Sequence, residues 1–151
     1  MQERSATSRP ATGDEGGRWL PLLGLLVGVW AIVPPYIGAF GELNVEQRVE
    51  FVDHVVPGIA VLAISVLALV ALRSAEPSQL LLFVGGAAIT LAGIWMVATH
   101  LPLIRQGRDE QVPWGAVIWH SLPGLVVTLL GIVWTIRYWG SDDEDGAPSG
   151  R

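Results

Sequence analysis

Residues 55–72 read VVPGIAVLAISVLALVAL, eighteen consecutive positions without one charged side chain. A helix needs about 20 mostly apolar residues to cross the hydrocarbon core of a bilayer, and a small soluble domain has too little interior to bury such a run. Because no water reaches backbone N–H and C=O groups inside lipid, the crossing must satisfy them internally. The stretch therefore predicts a transmembrane helix.

Three further apolar segments make four predicted crossings. They run from Trp19 to Phe40, from Leu80 to Ile104 and from about Val112 to Tyr138. The chain of 151 residues is 51% hydrophobic and only 15% charged, a balance that suits lipid better than a water-soluble core of this size. None of the segments alternates like the strands of a membrane barrel. We therefore expect an all-α bundle of four transmembrane helices over residues 18–139.

The two ends of the chain differ from this membrane domain in composition. Residues 1–17 mix Ser, Thr, Gly, Pro and charges, and residues 140–151 carry a run of four acids, so both are predicted to be disordered tails. Arginines near the membrane favour cytoplasmic termini, since cytoplasmic loops are enriched in basic residues. On the termini side lie Arg4, Arg9, Arg18, Arg73 and Arg137, against Arg48, Arg105 and Arg108 on the other. We expect a multi-pass protein of the plasma membrane.

An internal repeat divides the membrane domain in two. Gly28-Val29-Trp30 matches Gly93-Ile94-Trp95, and His54-Val55-Val56-Pro57-Gly58 matches His120-Ser121-Leu122-Pro123-Gly124, at an offset of 65 to 66 residues. Repeat one covers about residues 19–73 and repeat two about residues 80–139. Each unit crosses the membrane twice, so both copies begin on the same side. This predicts two tandem hairpins related by a pseudo-twofold axis along the membrane normal.

The repeat resembles that of the SPW-repeat integral membrane proteins. Their helix pair carries a Gly-x-Trp stretch before a Ser-Pro-Trp signature, and then a second helix with an Asn- or His-containing start. Here Gly28-Val29-Trp30 leads to Pro34-Pro35-Tyr36, in which Pro35 matches the signature and Tyr36 replaces its Trp. Thr99-His100-Leu101, in the second copy, does not match. The resemblance covers roughly residues 20–139 and implies membrane location and architecture, but no activity.

Three histidines are the candidate functional side chains. In the predicted topology His54, His100 and His120 all lie toward the non-cytoplasmic side, with Asp53 beside them. An ionisable group within a membrane segment is a functional candidate, and imidazole binds zinc, copper and iron. His54 and His120 are thus candidate haem or metal ligands, with His100 and Asp53 as further candidate metal ligands. The favoured interpretation is that the imidazoles satisfy polar groups of the proline kinks or of a neighbouring helix, with a proton relay as a further alternative, so no cofactor is predicted.

Small residues and tryptophans predict where helices touch. Gly24 and Gly28 form a Gly-x-x-x-Gly pair, and residues 85–88 read GGAA, both of which favour close helix approach. The equivalent Trp30 and Trp95 are expected to pack in the core, where each indole N–H needs a partner.

Prolines predict two irregular points along the chain. Pro34-Pro35 is expected to break or kink the first helix near its end. An amphipathic helix is expected from about Asn44, with a bend near Pro57 where one backbone hydrogen bond is lost. Acidic side chains spaced three to four residues apart, from Glu42 to Asp53, are expected to form a solvated face.

Charge and missing motifs exclude several classes of function. The net charge of −5 gives no basic face for nucleic acid, and the chain has no Cys for thiolate chemistry. It has no phosphate-binding Gly-rich loop, no His-Glu-x-x-His and no nucleophile elbow, so no enzyme is predicted. The first hypothesis is a structural, interaction or accessory protein whose partners are the lipid bilayer and itself or another membrane protein. The alternatives are a His-ligated haem or metal redox or sensor protein, and an oligomeric small transporter or channel.

Overall fold

The computed structural model describes residues 17–33, 51–74 and 76–139, and the regular structure in them is entirely helical. The elements are α1 (Trp19–Ile32), a π-helical turn (Phe51–Val55) that continues into α2 (Val56–Ala71), α3 (Gln79–Arg108) and α4 (Trp114–Arg137). The predicted all-α four-helix bundle is confirmed. The predicted tails, the amphipathic helix from Asn44 and most of the acidic face lie outside the described residues.

Three of the helical segments are long and apolar enough to cross a membrane. They are Phe51–Ala71, Gln79–Arg108 and Trp114–Arg137, with mean hydropathy between 1.9 and 2.4. The fourth, α1, is also apolar but has 14 residues, which at about 1.5 Å each cover less than the roughly 30 Å hydrocarbon core. It ends at Ile32, just before Pro34-Pro35, so the fourth crossing depends on residues beyond the described part of the chain.

Local sequence explains the short connection between α3 and α4. Asp109 follows the last helical residue, and Glu110 has a φ of 57°, the left-handed conformation that commonly ends a helix. Pro113 then takes an extended conformation at the start of α4, where its missing N–H costs nothing. At the other end of α3, the Ser78 hydroxyl accepts the backbone N–H of Leu81 at 3.3 Å and caps the helix. These signals make α3 and α4 a hairpin.

A π-helical turn, Phe51–Val55, lies directly before Pro57, while the bend predicted there stays a prediction. Pro57 has no N–H, and its ring excludes the carbonyl four residues earlier from regular α-helical packing. A single wider helical turn accommodates the missing hydrogen bond, and residues 51–55 form a turn of this kind directly before α2. His54 lies within this turn and is buried.

The four helices pack as two hairpins, α1 with α2 and α3 with α4. The hairpins meet along two seams, α2 against α3 and α1 against α4, as expected for tandem repeats related by a twofold axis. Equivalent glycines lie at equivalent contacts. A Cβ added at Gly28 would lie 2.9 Å from Leu62, and one added at Gly93 would meet Thr128, which is the counterpart of Leu62 sixty-six residues later.

Glycine and threonine alternate across the contact between α3 and α4. Gly86 lies against Thr135, Thr90 against Gly131, and Gly93 against Thr128. Each threonine hydroxyl donates to the carbonyl four residues earlier in its own helix, at 2.8 to 2.9 Å, so none needs a partner across the contact. The absence of glycine side chains lets the two backbones approach closely.

The centre of the bundle is filled by a tryptophan that the sequence did not single out. Trp134 is fully buried, and a Cβ added at Gly86 of α3 or Gly24 of α1 would lie 2.9 or 3.5 Å from its ring. The small residues predicted to permit close approach thus make room for this indole. The prediction that Trp95 packs in the core is wrong, because its side chain is 52% exposed on the outer face of α3.

Candidate functional site

The three histidines meet at one end of the bundle, where α2 begins, α3 nears its end and α4 begins. His54 comes from the π-helical turn, His100 from α3 and His120 from α4. Their side chains are buried, at 1%, 8% and 5% exposure. Alternate helices run in opposite directions, which is why residues 46 and 20 positions apart reach the same level. We call these three side chains the histidine cluster.

The shortest contact in the cluster joins the two repeats. His54 Nε2 lies 2.9 Å from His100 Nε2, and the two rings meet edge to face with centroids 4.7 Å apart. His120 is farther away, with its ring centroid 6.1 Å from that of His54. The repeat pattern paired His54 with His120, its counterpart in sequence. In the structure the direct partner of His54 is instead His100, which also belongs to the second repeat.

Backbone carbonyls fix which nitrogens carry hydrogen in two of the rings. His100 Nδ1 lies 2.6 Å from the Met96 carbonyl oxygen, and His120 Nδ1 lies 3.0 Å from that of Ala116. A carbonyl can only accept, so both Nδ1 atoms donate, and a neutral ring then keeps a lone pair on Nε2. In the neutral network His54 Nε2 must therefore donate to His100 Nε2. The His54 ring also interacts with the backbone of Ala31, so the cluster involves all four helices.

Two neighbours complete the surroundings of His100. The Thr99 hydroxyl donates to the Met96 carbonyl at 3.0 Å and lies 3.2 Å from His100 Nδ1. Asp53, the remaining predicted candidate, is partly exposed at the edge of the cluster and interacts electrostatically with His100. Thr99 was not predicted, although a hydroxyl next to a buried histidine in sequence is a usable signal. Asp53 therefore affects the cluster through its interaction with the charge of His100 and takes no part in the buried hydrogen bonds.

The geometry of the cluster argues against a haem more strongly than against a metal ion. A haem held by His54 and His120 would need its macrocycle beside His54 Nε2, but the His100 ring lies there, in hydrogen-bonding contact. Across residues 17–33, 51–74 and 76–139, no three His or acidic side chains already surround one point as metal ligands. The cluster therefore fits a hydrogen-bonded network as it stands, while the His100 ring obstructs a haem and the described residues offer no preformed set of three metal ligands.

Comparison with other proteins adds no assignment. The chain matches no protein-family profile, no characterised protein and no solved structure. The resemblance to the SPW-repeat proteins accordingly stays a prediction from the repeat motifs.

Proposed function

We propose that this is a small multi-pass integral membrane protein of accessory type, which acts by packing against another membrane protein and has no catalytic activity of its own. The observation that supports it most is an open apolar groove of about 240 Å³ between α1 and α4. The groove is lined by Trp19, Leu23, Val27, Val126, Leu129, Leu130 and Val133, with almost no polar surface. A groove of this kind on a membrane helix bundle suits the apolar face of another helix.

The buried polar groups support the same proposal, because they serve helix contacts. Within the described residues, the buried polar side chains are His54, Ser65, His100 and His120. Catalysis by a nucleophile needs a neighbouring base and a third group that orients it. Here the His54–His100 contact joins two helical segments, the other two imidazole bonds stay within their own helices, and Ser65 packs near Gly24 of α1.

Photo-crosslinking from the groove tests the accessory role. We expect a crosslinker at Leu129, which lines the groove and is 53% exposed, to give a discrete adduct with another protein in native membranes. The matched control is Leu91 on α3, which is 67% exposed but outside the groove, and should give lipid adducts. Adducts with lipid alone from both positions, with a chain that purifies free of partners, would contradict the proposal. An adduct of twice the chain mass would identify the partner as a second copy.

The proposed location is the plasma membrane, with both termini in the cytoplasm. The basic side chains near the membrane support this orientation. Since the chain has no Cys, a single introduced thiol reports on one loop. In intact cells we expect a membrane-impermeant maleimide to label Gln111→Cys, between α3 and α4, and to leave Ser74→Cys, between α2 and α3, unlabelled. The reverse pattern would invert the topology.

A second candidate function is a His-ligated metal or haem protein with a redox or sensing role. The convergence of three buried imidazoles from three helical segments favours it, since ionisable groups inside membrane segments are costly and usually functional. The absorption spectrum and metal content of the purified protein separate this function from the first. A colourless, metal-free and fully stable protein would exclude it.

The third hypothesis, a transporter or channel, receives less support. Leu20, Val61, Ile89, Val127 and Trp134, all at 0% exposure, fill the interior of the described bundle. A path for solutes would therefore have to form between copies of the chain, as the small number of helices already suggested. Flux into liposomes that contain the purified protein is the corresponding test.

A further inference from the structure

We propose that the contact between His54 and His100 is an acid-sensitive latch, which holds the two repeats together at neutral pH and releases them as the imidazoles take up protons. This role needs no bound metal and goes beyond the accessory function proposed above. The two rings are 1% and 8% exposed, belong to different repeats and meet at 2.9 Å between their Nε2 atoms. They therefore join the repeats at a buried point, where added charge is costly.

At neutral pH the latch is closed without any charge. His100 donates from Nδ1 to the Met96 carbonyl, so its Nε2 lone pair accepts the hydrogen of His54 Nε2. One added proton still leaves a single hydrogen between the two Nε2 atoms, with both Nδ1 atoms protonated, but the buried pair becomes cationic. A second proton puts a hydrogen on each Nε2 atom. The two donors then face each other, and the bond between the repeats is lost.

The surrounding groups compensate little of this charge. From α4, His120 faces His54 with ring centroids 6.1 Å apart, so a cation there adds repulsion. From the π-helical turn, Asp53 interacts electrostatically with His100, but it is partly exposed. From α1 comes only the backbone of Ala31, and α2 carries no ionisable side chain. One partly solvated carboxylate beside three imidazoles leaves a protonated cluster with a net positive charge.

The other described charges at this end lie on α3 beyond His100 and in the connection to α4. Arg105 and Arg108 are in the last turns of α3, and Asp109 and Glu110 follow them. All four side chains are exposed, so water and salt screen their charges from the buried rings. The response to acid therefore depends on the histidines and Asp53.

Prolines make this end of the bundle the place where the helices can separate. A proline follows each ring of the histidine cluster within three residues, namely Pro57, Pro102 and Pro123. Each proline removes one backbone hydrogen bond and hinders regular helix packing, so bending there breaks fewer bonds than elsewhere. Repulsion among the rings thus moves the ends of the helical segments.

The direction of the pH response follows from proton uptake. An imidazole in water binds a proton at about pH 6.5, so the open latch takes up protons that the closed latch disfavours. The closed form is therefore fully favoured above this pH and loses stability as the pH falls below it. For each proton taken up on opening, the ratio of open to closed form rises about tenfold per pH unit. In the proposed orientation the latch responds to acid on the non-cytoplasmic side.

Distances between spin labels on α3 and on the segment carrying His54 test the latch in the purified full chain. The chain has no Cys, so one pair of labels can be attached at Val52→Cys and Leu101→Cys, both exposed beside the cluster. Val70→Cys with Leu80→Cys is the matched pair at the other end of α2 and α3, also exposed. Between about pH 7.5 and about pH 4.5, a range that spans imidazole titration, we expect the first distance to lengthen and the second to stay constant.

Substitutions identify the groups that titrate. The double variant His54→Leu/His100→Leu removes the pair and should keep the short distance at both pH values. His54→Asn/His100→Gln serves if the leucine variant misfolds, since amides form hydrogen bonds but do not titrate. Asp53→Asn should open at a higher pH, because the closed form loses the negative charge beside His100.

Three results overturn the latch. One is an unchanged first distance in the chain with all three histidines, which needs no histidine variant to fold. Another is the same lengthening in the double variants or at both label pairs, which would indicate general acid unfolding. The third is loss of the transition in Asp53→Asn, which would assign the response to the carboxylate. Crosslinking from Leu129 is measured separately, so failure of the latch leaves the accessory role standing.

Discussion

Gly93→Ala is expected to destabilise the bundle by about 2–3 kcal/mol, in the range for forced overpacking of a well-packed contact. An added Cβ would meet the backbone N and Cα of Thr128 as well as its hydroxyl. A flexible side chain can turn away from such a clash, but backbone cannot, so α3 and α4 must separate. That separation disturbs the neighbouring glycine–threonine contacts along the same pair of helices.

The matched control is Gly115→Ala in α4. A Cβ added at Gly115 meets nothing within 4 Å, so the substitution should be neutral or stabilise by up to about 1 kcal/mol through better helix propensity. Both variants add one methyl group to a helical glycine, and they differ only in what that group touches. Unfolding of each in mixed micelles with increasing SDS measures the difference. Equal stability of the two variants would mean that α3 and α4 do not approach as closely as described.

The helices themselves were predictable, because lipid leaves few alternatives for long apolar runs. The predicted segment from Leu80 to Ile104 became α3, and the one from about Val112 to Tyr138 became α4. The ends shifted by a few residues, since capping at Ser78 and polar residues up to Arg108 extend α3 beyond its apolar part. The first segment was harder to delimit, because composition reads Trp19 to Phe40 as one apolar run, whereas α1 ends at Ile32.

Packing inside the bundle was less predictable, and the tryptophans show why. Trp30 and Trp95 stand at equivalent positions next to a repeated glycine, which suggested a shared place in the core. Apolar residues face both lipid and core in a membrane bundle, so hydrophobicity carries no inside-outside signal. Trp95 faces outward, and Trp134, which has no special motif around it, is the buried indole. The glycines predicted the helix contacts better than the tryptophans did, since the lack of a side chain matters only where another helix approaches.

The histidine cluster was partly predictable for a related reason. Helix direction alone places His54, His100 and His120 at one level of the bundle. The repeat, however, pairs His54 with His120, and symmetry in sequence does not determine which side chains touch across a seam. The 2.9 Å contact between His54 and His100 depends on how α2 meets α3. It also depends on the π-helical turn before Pro57, which carries His54.

His100→Leu is expected to destabilise the bundle by about 1–3 kcal/mol, because it leaves a buried His54 nitrogen without its partner across the seam. The substitution roughly keeps the volume of the side chain, so packing losses are small. The Met96 carbonyl keeps the hydroxyl of Thr99 as a donor at 3.0 Å. Measured in the presence of a chelator, the effect isolates the hydrogen bond between the repeats from any bound metal.

A double-mutant cycle shows whether the cost arises from that bond. His54→Leu should destabilise by a similar amount, and the double variant by clearly less than the sum, since removing both polar partners leaves neither unsatisfied. Thr99→Val is the control on α3: it removes a hydroxyl next to His100 but keeps both imidazoles, and should cost only about 0.5 kcal/mol. Strict additivity of the two histidine variants would show that the rings do not interact. Apolar packing alone would then hold the first repeat against the second.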